Sequence, residues 1–233
     1  MTVALHLRRA DGRKVPYRLL VDAKTPWVTV REESPDRLPL FCPELHVNEG
    51  GIFCLGWGTE APGRVTDLES AEHLWASVLN FLKLQERAAN LKRWPNPLAW
   101  AHGGGAAHQA VAEQCAARLG TEFSAALLAG RLRVTRGRKG FLRLLEDDRR
   151  VYSISDATGQ VATLRRPCLC GSSKVLRSCS DHAKAAAQLV RSIEETAKAE
   201  RRFWKFYKDM PCCGRVAGCP LAGQITDVVK AAA

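Results

Sequence analysis

Six of the nine cysteines in this 233-residue chain crowd into its last third, at Cys168, Cys170, Cys179, Cys212, Cys213 and Cys219. The other three, Cys42, Cys54 and Cys115, are scattered through the first half. A chain of this length holds one large domain or two small ones, and the division of the cysteines argues for two modules. The start, Met1-Thr2-Val3-Ala4-Leu5-His6-Leu7-Arg8, has neither the apolar core nor the cleavage site of a signal peptide. No stretch approaches the ~20 consecutive apolar residues of a membrane span. A cytoplasmic protein without a membrane partner is expected. Thiols there stay reduced, so metal binding or catalysis accounts for the cysteines better than disulfides do.

Charge follows the same division. Residues 1–120 hold 14 Lys+Arg against 13 Asp+Glu, and residues 121–233 hold 21 against 11, so the net charge of +11 resides almost entirely in the second part. Such a balance suits either nucleic acid or an acidic protein surface, and equally an ordinary solvated face.

Val3–Arg9 alternates apolar and polar residues, Val15–Val21 is rich in β-formers, and Asp11-Gly12 between them is a hairpin signal. Trp27–Val30 reads as a third strand. Residues 33–51 carry several prolines and glycines and read as irregular. Thr66 and Glu69 fit the reciprocal pair of a capping box, after which Ala71, Leu74, Trp75, Val78, Phe81 and Leu82 share one face of a helix over 67–90. Trp94-Pro95-Asn96-Pro97 stops it. A second helix is predicted over 106–119, ended by Gly120. A short helix and strands at 142–145, 151–154 and 161–164 follow, with a turn at Thr158-Gly159. The longest helical pattern runs from Ser180 to about Tyr207 and closes before Pro211.

The irregular stretch holds the chemistry. Cys54 follows Gly50-Gly51-Ile52-Phe53, with His46 and Asn48 six to eight residues upstream. A thioester enzyme needs a reachable thiol beside irregular backbone that presents donors, and a neighbouring amide can stabilise the oxyanion formed when an amine attacks. Cys42 and Cys115 read as structural.

This stretch resembles the ubiquitin-conjugating enzymes, which carry Phe-His-Pro-Asn, a glycine turn and then Ile-Cys-Leu. Here Phe41-Cys42-Pro43-Glu44 precedes Gly50-Gly51-Ile52-Phe53-Cys54-Leu55, and Trp94-Pro95-Asn96-Pro97 is similar to the Asn-Pro that follows the next helix. The order of three β-rich segments, an irregular stretch, the cysteine and a helix also agrees, over roughly residues 1–120. Several features depart from the family. The N-terminal helix is missing, the interval to the cysteine is two residues longer, and Cys42 and Glu44 stand where the motif has His and Asn. His46 and Asn48 are the substitutes the shifted register offers. Such departures resemble the divergent bacterial members, several of which carry an attached cysteine-rich domain and are encoded beside ubiquitin-like proteins and activating enzymes, often in antiphage defence operons. The resemblance implies a ubiquitin-like protein and an activating enzyme as partners.

Pro167-Cys168-Leu169-Cys170-Gly171-Ser172-Ser173-Lys174, followed by Cys179 and His182, resembles the SEC-C type of zinc motif. Ser180 stands where that motif has its fourth ligand, and His182 lies two residues on. Cys3His is a standard tetrahedral set for structural Zn2+. Cys212, Cys213 and Cys219 could complete this site in place of His182, or form a second site whose remaining partner the sequence does not identify. A module this small would depend on its metal to fold.

The resulting expectation is an α+β protein. A ubiquitin-conjugating-enzyme-like antiparallel sheet with helices (1–120) is joined by an α/β segment (121–166) to a small zinc-binding, α-rich domain (167–233). Its expected activity is transfer of a ubiquitin-like protein from a Cys54 thioester to an amine. The alternative is an inactive conjugating-fold adaptor whose basic zinc module binds nucleic acid or protein.

Overall fold

The computed structural model describes residues 1–9, 11–24, 27–56, 61, 63–95, 100–169 and 173–222. It contains two compact units, Met1–Asn96 with Phe206–Ala233, and Pro97–Lys205. The helix ending near residue 119 thus lies in the second unit, and the last cysteines lie in the first.

In the first unit, β1 (Thr2–Arg8), β2 (Lys14–Lys24) and β3 (Trp27–Glu32) form an antiparallel sheet in the order β1-β2-β3. Alternation sets which face is buried: Val15, Tyr17, Leu19 and Val21 of β2 are inside, while Lys14, Pro16 and Arg18 are exposed. Pro16 sits opposite His6, outside the Leu19–Lys24 stretch that pairs with β3, so its missing N–H costs that pairing nothing. Helix α1 (Leu68–Leu91) covers this face with Leu74, Val78, Phe81, Leu82, Gln85 and Ala88, all buried. The core it closes includes Leu19, Val30, Leu45, Val47 and Phe53.

The start of α1 is shifted by one residue from the Thr66/Glu69 pair. Asp67 is the N-cap, its carboxylate accepting the Ser70 N–H at 2.8 Å while the Ser70 hydroxyl oxygen accepts the Asp67 N–H at 3.0 Å. The short serine side chain closes the box that a longer glutamate was expected to close. Asp67→Ala should therefore lower stability by about 1 kcal/mol in urea denaturation, whereas Glu69→Ala should cost only the smaller helix-dipole contribution.

The second unit opens with α2 (Gly105–Leu119) and α3 (Thr121–Leu128). Strands β4 (Leu132–Arg136), β5 (Phe141–Glu146) and β6 (Arg149–Ser155) then form a second antiparallel sheet, and α4 (Ala183–Phe206) follows. Its core gathers Ala116, Leu142, Leu144, Ile154, Leu176 and Leu189, and the buried Tyr152 hydroxyl donates to the Ala186 carbonyl at 2.9 Å. Two strand expectations need correction. Leu132–Arg136 is a strand that sequence reading missed, since its first residue alone is fully buried. Residues 161–164 form no strand: Val161 makes one bridge, to Ile154. No helix among the described residues is long and apolar enough to cross a membrane.

Candidate active site and metal centre

The segment from Phe41 to Gly56 is tied down almost entirely by main-chain bonds. Cys42 and Val47 exchange both, N–H to O at 2.9 and 3.0 Å, around a tight turn at Pro43–Leu45. His46 closes that turn in the left-handed region at φ 54°, where a bulky residue is uncommon. The buried Gln85 side chain donates to the Leu45 carbonyl at 2.5 Å. A second turn then reverses the chain through Gly50 and Gly51, at φ 73° and 78°, a conformation glycine adopts without a Cβ penalty. Ile52 and Phe53 come back as bridges to Arg31 and Val47. The Phe53 ring stacks on Phe81, centroids 4.6 Å apart.

Cys54 emerges from this frame partly exposed, its own N–H donating to the His46 carbonyl at 2.8 Å. The Asn48 side-chain amide and the Gly56 N–H act on its thiol. Burial pushes the thiol above its ordinary range, and these donors act against that rise. The structure thus brings Asn48 to Cys54. It engages His46 differently: the imidazole ring packs against the Trp94 indole at 4.8 Å, and the backbone carbonyl reaches Cys54. Gln85, Trp94 and the Gly56 N–H were not foreseen as parts of the site. Gln85 alone left a signal, as a polar residue on the apolar stripe of α1. Trp57, Asn96 and Pro97 lie outside the described residues.

A raised thiol leaves less thiolate at neutral pH than the ordinary cysteine value of about 8.5 allows. Peptide-mapped alkylation of Cys54 by iodoacetamide should therefore be slower at pH 7 than for a free cysteine, and still climbing beyond about pH 8.5. A plateau below that pH would contradict the environment described.

In the second unit, Cys168, Cys179 and His182 bring their ligand atoms within 4.8 Å of one another. The His182 Nδ1 lies 3.3 Å from the Cys168 sulfur and 3.6 Å from that of Cys179. Tetrahedral zinc, with Zn–S near 2.3 Å and Zn–N near 2.0–2.1 Å, places a sulfur and a nitrogen about 3.6 Å apart, so the donor set fits that metal. Cys168 is held by its N–H to the Lys174 carbonyl at 2.9 Å, and His182 directly precedes α4, accepting the Ala186 N–H at 2.8 Å. The Cys168 thiol first, and then the His182 and Asp181 N–H groups, lower the Cys179 thiol toward the thiolate that a metal requires. The two-residue displacement from Ser180 to His182 is absorbed by the turn leading into α4. Cys170 lies outside the described residues.

Cys212, Cys213 and Cys219 do not belong to this unit; they fold with the first. Cys115 is buried in the second unit's core. His102 is also in the second unit, its Nδ1 3.0 Å from the Glu200 carboxylate and its ring stacked on Phe203. Several cations of the basic half are paired: Arg131 with Glu146, Arg133 with Asp148, and Arg136 with Asp156 and Glu194.

Residues 1–96 match the family model of a prokaryotic E2 domain, and residues 101–221 that of a cysteine-rich domain C-terminal to the E2 domain. No curated protein and no solved structure matches the chain. The sheet, the capped helix, the cysteine loop and the cysteine-rich second part agree with that division: the chain belongs to the prokaryotic E2 family, of ubiquitin-conjugating type, with a cysteine-rich domain C-terminal to its E2 domain.

Proposed function

We propose that Cys54 carries the C-terminal acyl group of a ubiquitin-like protein as a thioester and passes it to a target amine. The observation that carries this reading is the position of Cys54: partly exposed, fixed by its N–H to His46, and with the Asn48 amide and Gly56 N–H lowering its thiol against the effect of burial.

In the first step the Cys54 thiolate attacks the acyl carbon of the thioester on an activating enzyme. A new C–S bond forms, and the activating enzyme's cysteine leaves as thiolate. In the second step an amine attacks the same carbon, the amide forms, Cys54 leaves as thiolate, and the amine proton passes to solvent. Both steps place negative charge on the acyl oxygen, and the Asn48 amide is the side-chain donor beside the sulfur that can meet it. His46 is a positioning residue, acting through its carbonyl on the Cys54 backbone.

Cys168, Cys179 and His182, with Cys170, would hold a structural Zn2+. Three thiolates and an imidazole close the coordination shell, so the ion fixes the fold around them and takes no part in transfer. The setting is a cytoplasmic bacterial conjugation pathway, of the kind that serves antiphage defence.

The test is a charging reaction with the activating enzyme, ATP and the ubiquitin-like protein, resolved with and without reductant. A reductant-sensitive adduct lost in Cys54→Ala supports the reading; no adduct sinks it. The net charge of residues 121–233 favours a second reading, an inactive adaptor for nucleic acid. No charging, combined with nucleic-acid affinity that falls steeply with salt, would establish it.

A further inference from the structure

The cysteines at the end of the chain find their partner 171 residues away. The Cys213 sulfur lies 2.9 Å from that of Cys42, and Cys212 helps to raise the Cys219 thiol. Cys219 also interacts electrostatically with both Cys213 and Cys42. Cys212 adjoins the Cys42–Cys213 contact in sequence, although no three of these four sulfurs lie within 4.8 Å of one another. Cys42 and Cys219 are buried, at 2% and 6% exposure, and Cys212 and Cys213 are half-buried.

The sulfurs of the C-terminal cysteines are near backbone N–H groups. Gly214 donates to Cys212 at 3.4 Å, and the N–H groups of Arg215 and Leu221 act to lower the Cys213 and Cys219 thiols. In the three C-terminal cases the donor lies two residues beyond the cysteine. Thiolates bound to a cation are supported by such donors, which orient them and spread their charge. A disulfide would explain less. It would join Cys42 to Cys213 and leave Cys212 and Cys219 with no use for their donors. The 2.9 Å separation also exceeds the 2.03–2.05 Å of an S–S bond.

We propose that Cys42, Cys212, Cys213 and Cys219 bind a second Zn2+ as a four-thiolate site that fastens the C-terminal segment to the loop carrying Cys54. Two sulfurs on tetrahedral zinc stand about 3.8 Å apart for Zn–S near 2.3 Å, so the ion would part the Cys42–Cys213 pair slightly and draw Cys212 and Cys219 toward it. Four thiolates leave no open position, and the role is structural. The connection to the loop is short. Cys42 pairs with Val47, Val47 bridges Phe53, and Cys54 follows, hydrogen-bonded to His46. The same segment is tied to the first unit by the Ala217 N–H to the Lys92 carbonyl at 2.7 Å and by the Tyr207 ring 4.9 Å from Phe41. This site is independent of whether Cys54 transfers anything.

The test is zinc content by mass spectrometry on the purified full chain, with sulfur coordination by X-ray absorption. Two zinc ions per chain are expected, with an average above three sulfurs per zinc, since the Cys168 site can supply at most three beside His182. Cys42→Ser should lose one ion and keep the other; the wild-type coordination number stands as the readout if that variant does not fold. The proposal is overturned by one zinc per chain, by two that survive Cys42→Ser, or by an unreduced mass two hydrogens light that maps to a Cys42–Cys213 disulfide.

Discussion

Asn48→Ala should slow the discharge of charged Cys54 onto an amine by about a hundredfold, the low end of what loss of one oxyanion donor costs. The fold should be unaffected, because Asn48 is exposed and its turn is held by backbone groups: its N–H donates to the Ile52 carbonyl at 2.8 Å and its carbonyl accepts from Gly51. Charging should suffer too, since the amide is one of two donors that offset the effect of burial on the Cys54 thiol. Without it the thiol rises further and less thiolate is present at neutral pH. A faster rate at high pH would then recover part of the charging defect but not the discharge defect. His46→Asn should be far milder: asparagine tolerates the left-handed backbone at this position, and the carbonyl that holds Cys54 remains. Single-turnover discharge of pre-charged protein separates the two steps. If Asn48→Ala discharges at the wild-type rate, Asn48 is no oxyanion donor.

The second large effect concerns the metal centre. His182→Ala should lower the stability of the second unit by about 4 kcal/mol or more, since loss of a structural metal is among the few single changes that reach such values. For a unit of about a hundred residues that corresponds to a fall in melting temperature of roughly 15 °C or more. His182 is also where α4 begins, with its carbonyl accepting the Ala186 N–H, so the damage should spread into the first turns of that helix. Hydrogen exchange should show protection lost around Cys168–Ala186. A strong chelator should do more than this variant. With the proposed second site filled, chelation should also free the Phe41–Val47 loop, whereas a single site in the second unit would leave Met1–Asn96 untouched.

Much of the first unit was legible because its residues obey a simple period. The alternation of Val15, Tyr17, Leu19 and Val21, with Asp11-Gly12 as the turn, locates the β1–β2 hairpin, and the spacing of Leu74, Val78, Phe81 and Leu82 locates α1. What escaped depends on distance or on rotation. The cap was displaced by one residue because Asp67 and Ser70 form a box as readily as Thr66 and Glu69 suggest one. Leu132–Arg136 was missed because a short, half-exposed strand buries too little to imprint a pattern.

At the site, spacing brought Asn48 and Cys54 to attention, but could not tell which part of His46 would reach the cysteine. A left-handed backbone at His46 turns the ring toward Trp94 and leaves the carbonyl on Cys54. The cysteines show the limit most clearly. Proximity in sequence grouped six of them together, whereas the chain returns after α4 and delivers Cys213 to Cys42. No local pattern encodes a contact across 171 residues.

The central claim is that Cys54 is the atom-for-atom site of acyl transfer, and intact-mass and peptide analysis of Cys54→Ser after charging tests it most directly. The serine oxygen should capture the ubiquitin-like protein as an oxyester, giving one adduct per chain, resistant to reductant and mapped to the peptide containing position 54. An adduct on another residue, or none under conditions in which the activating enzyme is itself charged, would contradict it.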